Sequence, residues 1–208
     1  MEKMKTLGDG TPVSYTINVR GQLIDLGEPL VMGIMNVTPD SFYANSRVQT
    51  AEAIRQRAHQ IVAEGAKIID IGACSTRPGG VVVSAEEEMQ RLAFALPIVK
   101  EAEPDAILSI DTFHADIARR TIEEFGADII NDVEEGKDPE MFRTVAELGA
   151  PYILMSTASN LHDMLIDFSR EVQEFRVLGQ KDIILDPGFG CGKEPVAGNY
   201  ELLSVMER

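Results

Sequence analysis

Six times in succession a short apolar run ends near a polar residue, passes through a loop and gives way to a segment with helical spacing. The first unit is the most distinctive: Val31-Met32-Gly33-Ile34-Met35-Asn36, then the polar loop Val37-Thr38-Pro39-Asp40-Ser41-Phe42. An apolar run of that length reads as a buried strand that delivers Asn36 to a rim. Residues 30–35, 67–71, 106–110, 128–130, 152–155 and 182–185 are the expected strands, and most are apolar throughout rather than alternating.

Helix signals fall between them. Thr50 is placed to cap a helix carrying Ile54, Ala58, Ile61 and Val62, with Gly65 at its end. Ser84 and Glu87 have capping-box spacing ahead of Met89, Leu92, Leu96 and Val99. Ala118, Ile122 and Phe125 share a face that stops at Gly126. Asp138-Pro139 reads as a cap with Pro at the first helical position, in a short helix ending at Gly149. Leu161, Leu165, Phe168, Val172 and Phe175 form the next stripe, closed by Gly179, and a last helix begins near Asn199. Ahead of all this, Tyr15, Ile17 and Val19 alternate up to Arg20-Gly21, and Leu23, Ile24 and Leu26 follow, which predicts a small hairpin.

Apolar strands alternating with amphipathic helices make an α/β fold with a parallel sheet. No Gly-x-Gly-x-x-Gly follows the first strand, which argues against a dinucleotide-binding sheet. Polar residues end nearly every strand, as in a barrel that draws its site from many strand ends. An open sheet concentrates them at one switch point. The expected fold is therefore a TIM-type (β/α)8 barrel with about six β/α units present, a single domain over residues 1–208 preceded by a β-hairpin.

A net charge of -15 excludes nucleic acid and an anionic membrane surface as expected partners. An anionic substrate would need a local metal ion, Arg or helix N-terminus to overcome that field. Cys74 and Cys191 are too few for a disulfide framework and lack metal-ligand spacing. With no apolar leader and no stretch of transmembrane length, a cytoplasmic location is expected.

The strand-end set is Asn36, Asp70, Asp111, Asn131, Met155 and Asp186. Carboxylates and amides facing one mouth suit a nitrogen-rich heterocycle, because a carboxylate accepts two parallel N–H bonds and an amide both donates and accepts. An alternative reading is that an Asp before Pro187-Gly188 (Asp186) or before Thr112 (Asp111) simply caps a turn. His59 and His162 lie in helices and are expected at the surface; His114 alone is near the mouth.

The words of the sequence go further than its spacing. Gly33-Ile34-Met35-Asn36-Val37-Thr38-Pro39-Asp40-Ser41-Phe42 resembles the first signature of the dihydropteroate synthase family. Ile69-Asp70-Ile71-Gly72 through Ser75-Thr76-Arg77-Pro78-Gly79 resembles the second. Ser109-Ile110-Asp111-Thr112, Ile130-Asn131-Asp132-Val133 and Leu185-Asp186-Pro187-Gly188-Phe189-Gly190 with Lys193 resemble further segments, in family order. The resemblance implies a barrel enzyme that condenses (7,8-dihydropterin-6-yl)methyl diphosphate with 4-aminobenzoate, with Mg2+, in folate synthesis. It implies Asn36 at the metal and diphosphate, and Asp111, Asn131 and Asp186 around the pterin. Val133 and Met155 would pack on the ring, while Ser75, Thr76, Arg77, Phe42 and Cys191 would complete the substrate site. A homodimer is implied as well.

Three departures accompany the resemblance. Cys191 stands where the family has Phe, and Ser156-Thr157-Ala158-Ser159 stands where it has Met-His and a longer loop. The family's strand-seven Lys-Ser and strand-eight Arg-x-His segments have no counterpart, so the 208-residue chain is expected to show little activity alone. Two other readings compete: a pterin-binding methyltransferase domain serving a corrinoid partner, and a non-catalytic pterin-binding fragment. The first has no need of Asn36-Val37-Thr38-Pro39-Asp40 or Ser75-Thr76-Arg77-Pro78.

Overall fold

The computed structural model describes residues 15–38, 47–74, 83–190 and 197–205. It opens on an antiparallel hairpin of β1 (Thr16–Val19) and β2 (Gln22–Asp25), with Val19 opposite Gln22. The two-residue loop between them, Arg20 at φ 53° and Gly21 at φ 79°, is left-handed at both positions. That geometry matches the right-handed twist of the flanking strands.

Six parallel strands follow in one sheet: β3 (Met32–Asn36), β4 (Ile68–Gly72), β5 (Ile107–Asp111), β6 (Ile129–Asp132), β7 (Tyr152–Met155) and β8 (Ile183–Asp186). Their order in the sheet is their order in the chain. Between and after them lie α1 (Arg47–Ala63), α2 (Ala85–Ala102), α3 (Ala115–Phe125), α4 (Met141–Leu148), α5 (Leu161–Val177) and α6 (Ala197–Val205). A doubly wound sheet reverses its strand order at a switch point, and this one never reverses. Successive right-handed crossovers then put every helix on the same side, the winding of a barrel wall. Among the described residues β3 and β8 do not pair with each other, so they are the edges of the sheet.

Side-chain alternation divides the strands between two cores. Met35, Ile69, Ile71, Leu108, Ile110, Ile130, Tyr152 and Leu154 face the helices and pack on Ile54, Ile61, Leu92, Ile117, Val145, Phe168 and Phe175. On the opposite face Ile68, Ile129 and Ile153 meet Ile17 and Val19 of the hairpin, with Met32, Ile107 and Ile184 alongside. The hairpin is tied at that amino-terminal end. Arg20 grips Asp128 through Nε–Oδ1 at 2.6 Å and Nη2–Oδ2 at 2.7 Å, and Asn18 N–H donates to Asp182 Oδ1 at 3.2 Å. It covers the lower half of the helix-free face and leaves the carboxyl ends of the strands as its upper half.

Most helix signals hold. Ser84 accepts from Glu87 N at the start of α2, and Gly126 and Gly149 cap α3 and α4. Two do not. Helix α1 already runs from Arg47, so Thr50 lies inside its first turn rather than capping it. Asp138-Pro139 does not open α4, whose N-cap is Glu140. Asp138 instead spends one oxygen on Glu140 N (3.0 Å) and the other on Ala115 N (2.9 Å), capping the preceding helix α3 across the loop.

Candidate active site

Register decides which side chains share the mouth. Asn36 pairs with Gly72, Gly72 with Asp111, and Asp111 with Asn131, a single row across four strands at their carboxyl ends. Two residues earlier runs a second row, Ile34–Asp70–Ser109–Ile129. Met155 pairs with Asp186 on the far side. Because side chains alternate, all of these project to the helix-free face, above the hairpin. Asn36, Asp70, Asp111, Asn131, Met155 and Asp186 are therefore brought to one face, as the strand ends predict.

Gly72 makes the first row possible. A Cβ there would stand 3.0 Å from Asp111 Oδ2 and 3.3 Å from Asn36 Oδ1, so the two oxygens converge over a position that any side chain would fill. Burial pushes the Asp111 carboxyl up to about 7, helped by the negative charges of Asp70, Glu88 and Asp132.

Hydrogen bonds tie the second row to the first. Asp70 accepts from Ser109 Oγ at 2.6 Å through one oxygen and from Asn131 Nδ2 at 3.0 Å through the other. Burial raises the Asp70 carboxyl above its ordinary range, and these two donated bonds oppose that. Asn131 is buried, and its Oδ1 has no hydrogen-bond partner among the described residues. A buried polar atom left over in this way is uncommon and marks a place for a donor.

Other residues are explained by structure. Asp186 Oδ1 accepts from Gly188 N at 2.8 Å, so it does cap the following turn; its second oxygen belongs to the same face as Met155. Met155 is buried, and half-buried Val133 opens the loop after β6. Asp132 points the other way, into the helix-side core, where it takes Tyr152 Oη at 2.6 Å and the amides of Glu134 and Gly136. His59 is exposed and pairs with Glu103, and His162 is exposed on α5. His114 meets buried Glu88 at 3.0 Å and rests against the Phe113 ring. Phe42, Ser75, Thr76, Arg77, Cys191 and Lys193 lie outside the described residues.

Two residues of this neighbourhood had not been assigned from the sequence. Ser109 is a lone hydroxyl in an apolar strand two residues before Asp111, a signal that it shares the face. Glu88 stands four residues before Leu92 on a helix, a signal for the buried side.

Residues 32–208 match the pterin binding enzyme family. A dihydropteroate synthase of Streptococcus pyogenes is 38% identical over 201 residues, spanning 90% of this chain and 73% of that protein. The chain belongs to the pterin-binding enzymes, among the dihydropteroate synthases. The fold agrees. The Xanthomonas albilineans dihydropteroate synthase with 4-aminobenzoic acid shares 33% identity at a TM-score of 0.78, over 93% of this chain and 73% of that one. The same enzyme in complex with 7,8-dihydropteroate gives 30% identity and a TM-score of 0.78, over 92% and 72%. No described helix of this family member is long and apolar enough to cross a membrane.

Proposed function

We propose that this pterin-binding enzyme joins (7,8-dihydropterin-6-yl)methyl diphosphate to 4-aminobenzoate, giving 7,8-dihydropteroate and diphosphate. The observation that carries the reading is the row Asn36–Gly72–Asp111–Asn131: one carboxylate, one amide with a spare acceptor and one oxygen-rich notch at the mouth of a synthase-type sheet. Asn131 Oδ1 accepts a ring N–H, and the second oxygen of Asp186 takes another. Met155 and Val133 supply apolar contact to the ring. The bond from the methylene carbon to the diphosphate oxygen breaks, and the positive charge left on the carbon spreads into the pterin. Asp111, fixed on β5 before the reaction starts, stabilises that charge. The diphosphate leaves with the electron pair of that bond, the amine nitrogen of 4-aminobenzoate attacks the carbon with its lone pair, and its proton passes to water. No histidine base is required, in keeping with the surface positions of His59 and His162.

The donor set also fits Mg2+. Asn36 Oδ1 is a hard oxygen ligand facing the notch over Gly72, and Mg2+ needs only one or two protein groups beside substrate oxygens and water. In this reading Asn36 would hold the ion together with the diphosphate. Bound there, the ion would neutralise the departing diphosphate, together with Arg77, in a chain of net charge -15. Ser75, Thr76, Arg77, Phe42 and Cys191 complete the diphosphate and aminobenzoate ends of the site in this reading. The reaction is placed in the cytoplasm, in a homodimer.

Calorimetry with the pterin diphosphate, with and without Mg2+ and followed by 4-aminobenzoate, tests the binding steps. Dihydropteroate formation tests the chemistry. Ordered, Mg2+-dependent binding is expected, and Asp111→Asn is expected to lower turnover by roughly 10²-fold. Pterin binding indifferent to Mg2+ would favour the methyltransferase-like or non-catalytic readings, and full turnover by Asp111→Asn would overturn the role given to that carboxylate.

A further inference from the structure

Asn131 is a residue of two faces: rotating its amide by half a turn exchanges a donor for an acceptor with almost no change of shape. Which face a ligand meets is decided by what lies beneath the amide. Here it is Asp70, 4% exposed, which can only accept when ionised. Its Oδ1 is taken by the Ser109 hydroxyl and its Oδ2 by Asn131 Nδ2. The reverse orientation would set the amide oxygen against a buried carboxylate oxygen, two acceptors facing each other in a poorly solvated place, which is costly. The amide oxygen is thereby turned away from Asp70, buried and without a partner among the described residues.

We propose that Asp70 is a positioning residue that locks the Asn131 amide, so that this enzyme reads its heterocycle as a hydrogen-bond donor at that point and rejects ring edges that present an acceptor there. The inference rests on the proposed function in taking the ligand to be a pterin, and deepens it by assigning the polarity of one contact. Ser109 belongs to the same device, because its hydroxyl occupies the carboxylate oxygen that Asn131 does not use.

The test is calorimetry with (7,8-dihydropterin-6-yl)methyl diphosphate on the wild type, on Asp70→Asn and on the exchanged pair D70N/N131D. In D70N the new amide keeps its oxygen on Ser109 and turns its nitrogen toward Asn131. Donor then faces donor, Asn131 flips, and its nitrogen meets the ring N–H. Affinity should fall ~10- to 100-fold, the range for a mispaired buried hydrogen bond. In D70N/N131D the nitrogen of residue 70 donates to the new carboxylate, whose other oxygen again accepts from the ring. Affinity should return to within about threefold of wild type. A purely structural role for Asp70 gives no such rescue. D70N that binds as well as wild type, or an exchanged pair that binds no better than D70N while melting like wild type, overturns the proposal. The Asn131 side-chain amide resonances report the same lock without ligand and should shift and exchange faster in D70N; unchanged resonances overturn it. If the wild type binds no pterin diphosphate, the functional reading falls while those resonances still decide the lock.

Discussion

Glu171 on α5 is a carboxylate held where a carboxylate is poorly accommodated. It is buried, one oxygen meets Arg170 Nη2 at 3.0 Å, and the other has no partner among the described residues. Burial pushes its carboxyl up to about 7, and the neighbouring charge of Glu135 adds to this. A folded-state pKa above the unfolded value means that stability from this group is fully present below about pH 4.5 and is lost as pH rises through about 7. Glu171→Gln should therefore stabilise the fold by about 1 kcal/mol at about pH 8, a discounted figure because the Arg170 side chain is largely in solvent. The gain should vanish near pH 4.5. Urea unfolding of both proteins at the two pH values checks this, and equal midpoints at the higher pH would refute it. The position of Glu171 was not legible: the sequence pattern gives the α5 stripe to Leu165 and Val172, whereas the structure leaves Leu165 exposed and buries Met164 and Glu171 beside Phe168 and Phe175. Nor was its missing partner, because that depends on what the rest of the fold brings to the same spot. The candidate site was legible in part. Strand-end Asn and Asp residues stand out in the sequence, whereas the direction of the Asn131 amide follows from Asp70, 61 residues away.

The hairpin of β1 and β2 was readable from its alternation around Arg20-Gly21, but its job was not. Arg20 holds Asp128, 108 residues distant, through a two-pronged contact, and Asp128 also accepts from Leu108 N at 2.9 Å. The pair pins the hairpin over the amino-terminal ends of the strands. Asp128 is nearly fully buried while Arg20 keeps 43% of its side chain in solvent, so removing the cation strands a buried anion without the full penalty of an interior pair. Arg20→Ala should cost about 2 kcal/mol by denaturant unfolding, and Arg20→Lys should recover only part of it, because an ammonium cannot match the fork. A loss of less than about 0.5 kcal/mol would show that the hairpin is held by Ile17 and Val19 alone. Helix α1 supplies a second element-scale case. A Cβ at Gly33 on β3 would run into Ile61 Cγ2 of α1, so the glycine in the first signature is there for close packing. Gly33→Ala should destabilise by about 1–3 kcal/mol, measured in the same way, through overpacking of a fixed branched side chain. A mere glycine-to-alanine entropy gain would instead show as a small stabilisation. The two helix starts differ from the sequence pattern in different ways: α1 already runs from Arg47, three residues before Thr50, and Asp138 has a longer-range partner in Ala115 N.

Among the described residues, sequential parallel order gives β4, β5, β6 and β7 a strand on both sides and β3 and β8 a strand on one side. The winding was legible because it needs only apolar runs, polar strand ends and regular helices, all local signals. Which strands are least secure follows from the sheet itself. β3 leaves Ile34 60% exposed and β8 leaves Leu185 46% exposed, whereas all four residues of β6 and of β7 are buried. Amide protection tracks the free energy of local opening, and an edge strand can open by losing one ladder rather than two. Hydrogen exchange should therefore be slowest in β4, β5, β6 and β7 and clearly faster in β3 and β8, with the Asn36 end of the site more mobile than the Asp111–Asn131 centre. That ordering has a functional side. Asp70, Ser109, Asp111 and Asn131 sit on β4, β5 and β6, so the groups that read the pterin would be held rigid. Asn36 and Asp186, on the two edges, would gain most from ligand contacts that stiffen them. Adding the pterin diphosphate should then slow exchange chiefly at β3 and β8; uniform protection of all six strands without ligand would contradict the open-edged sheet.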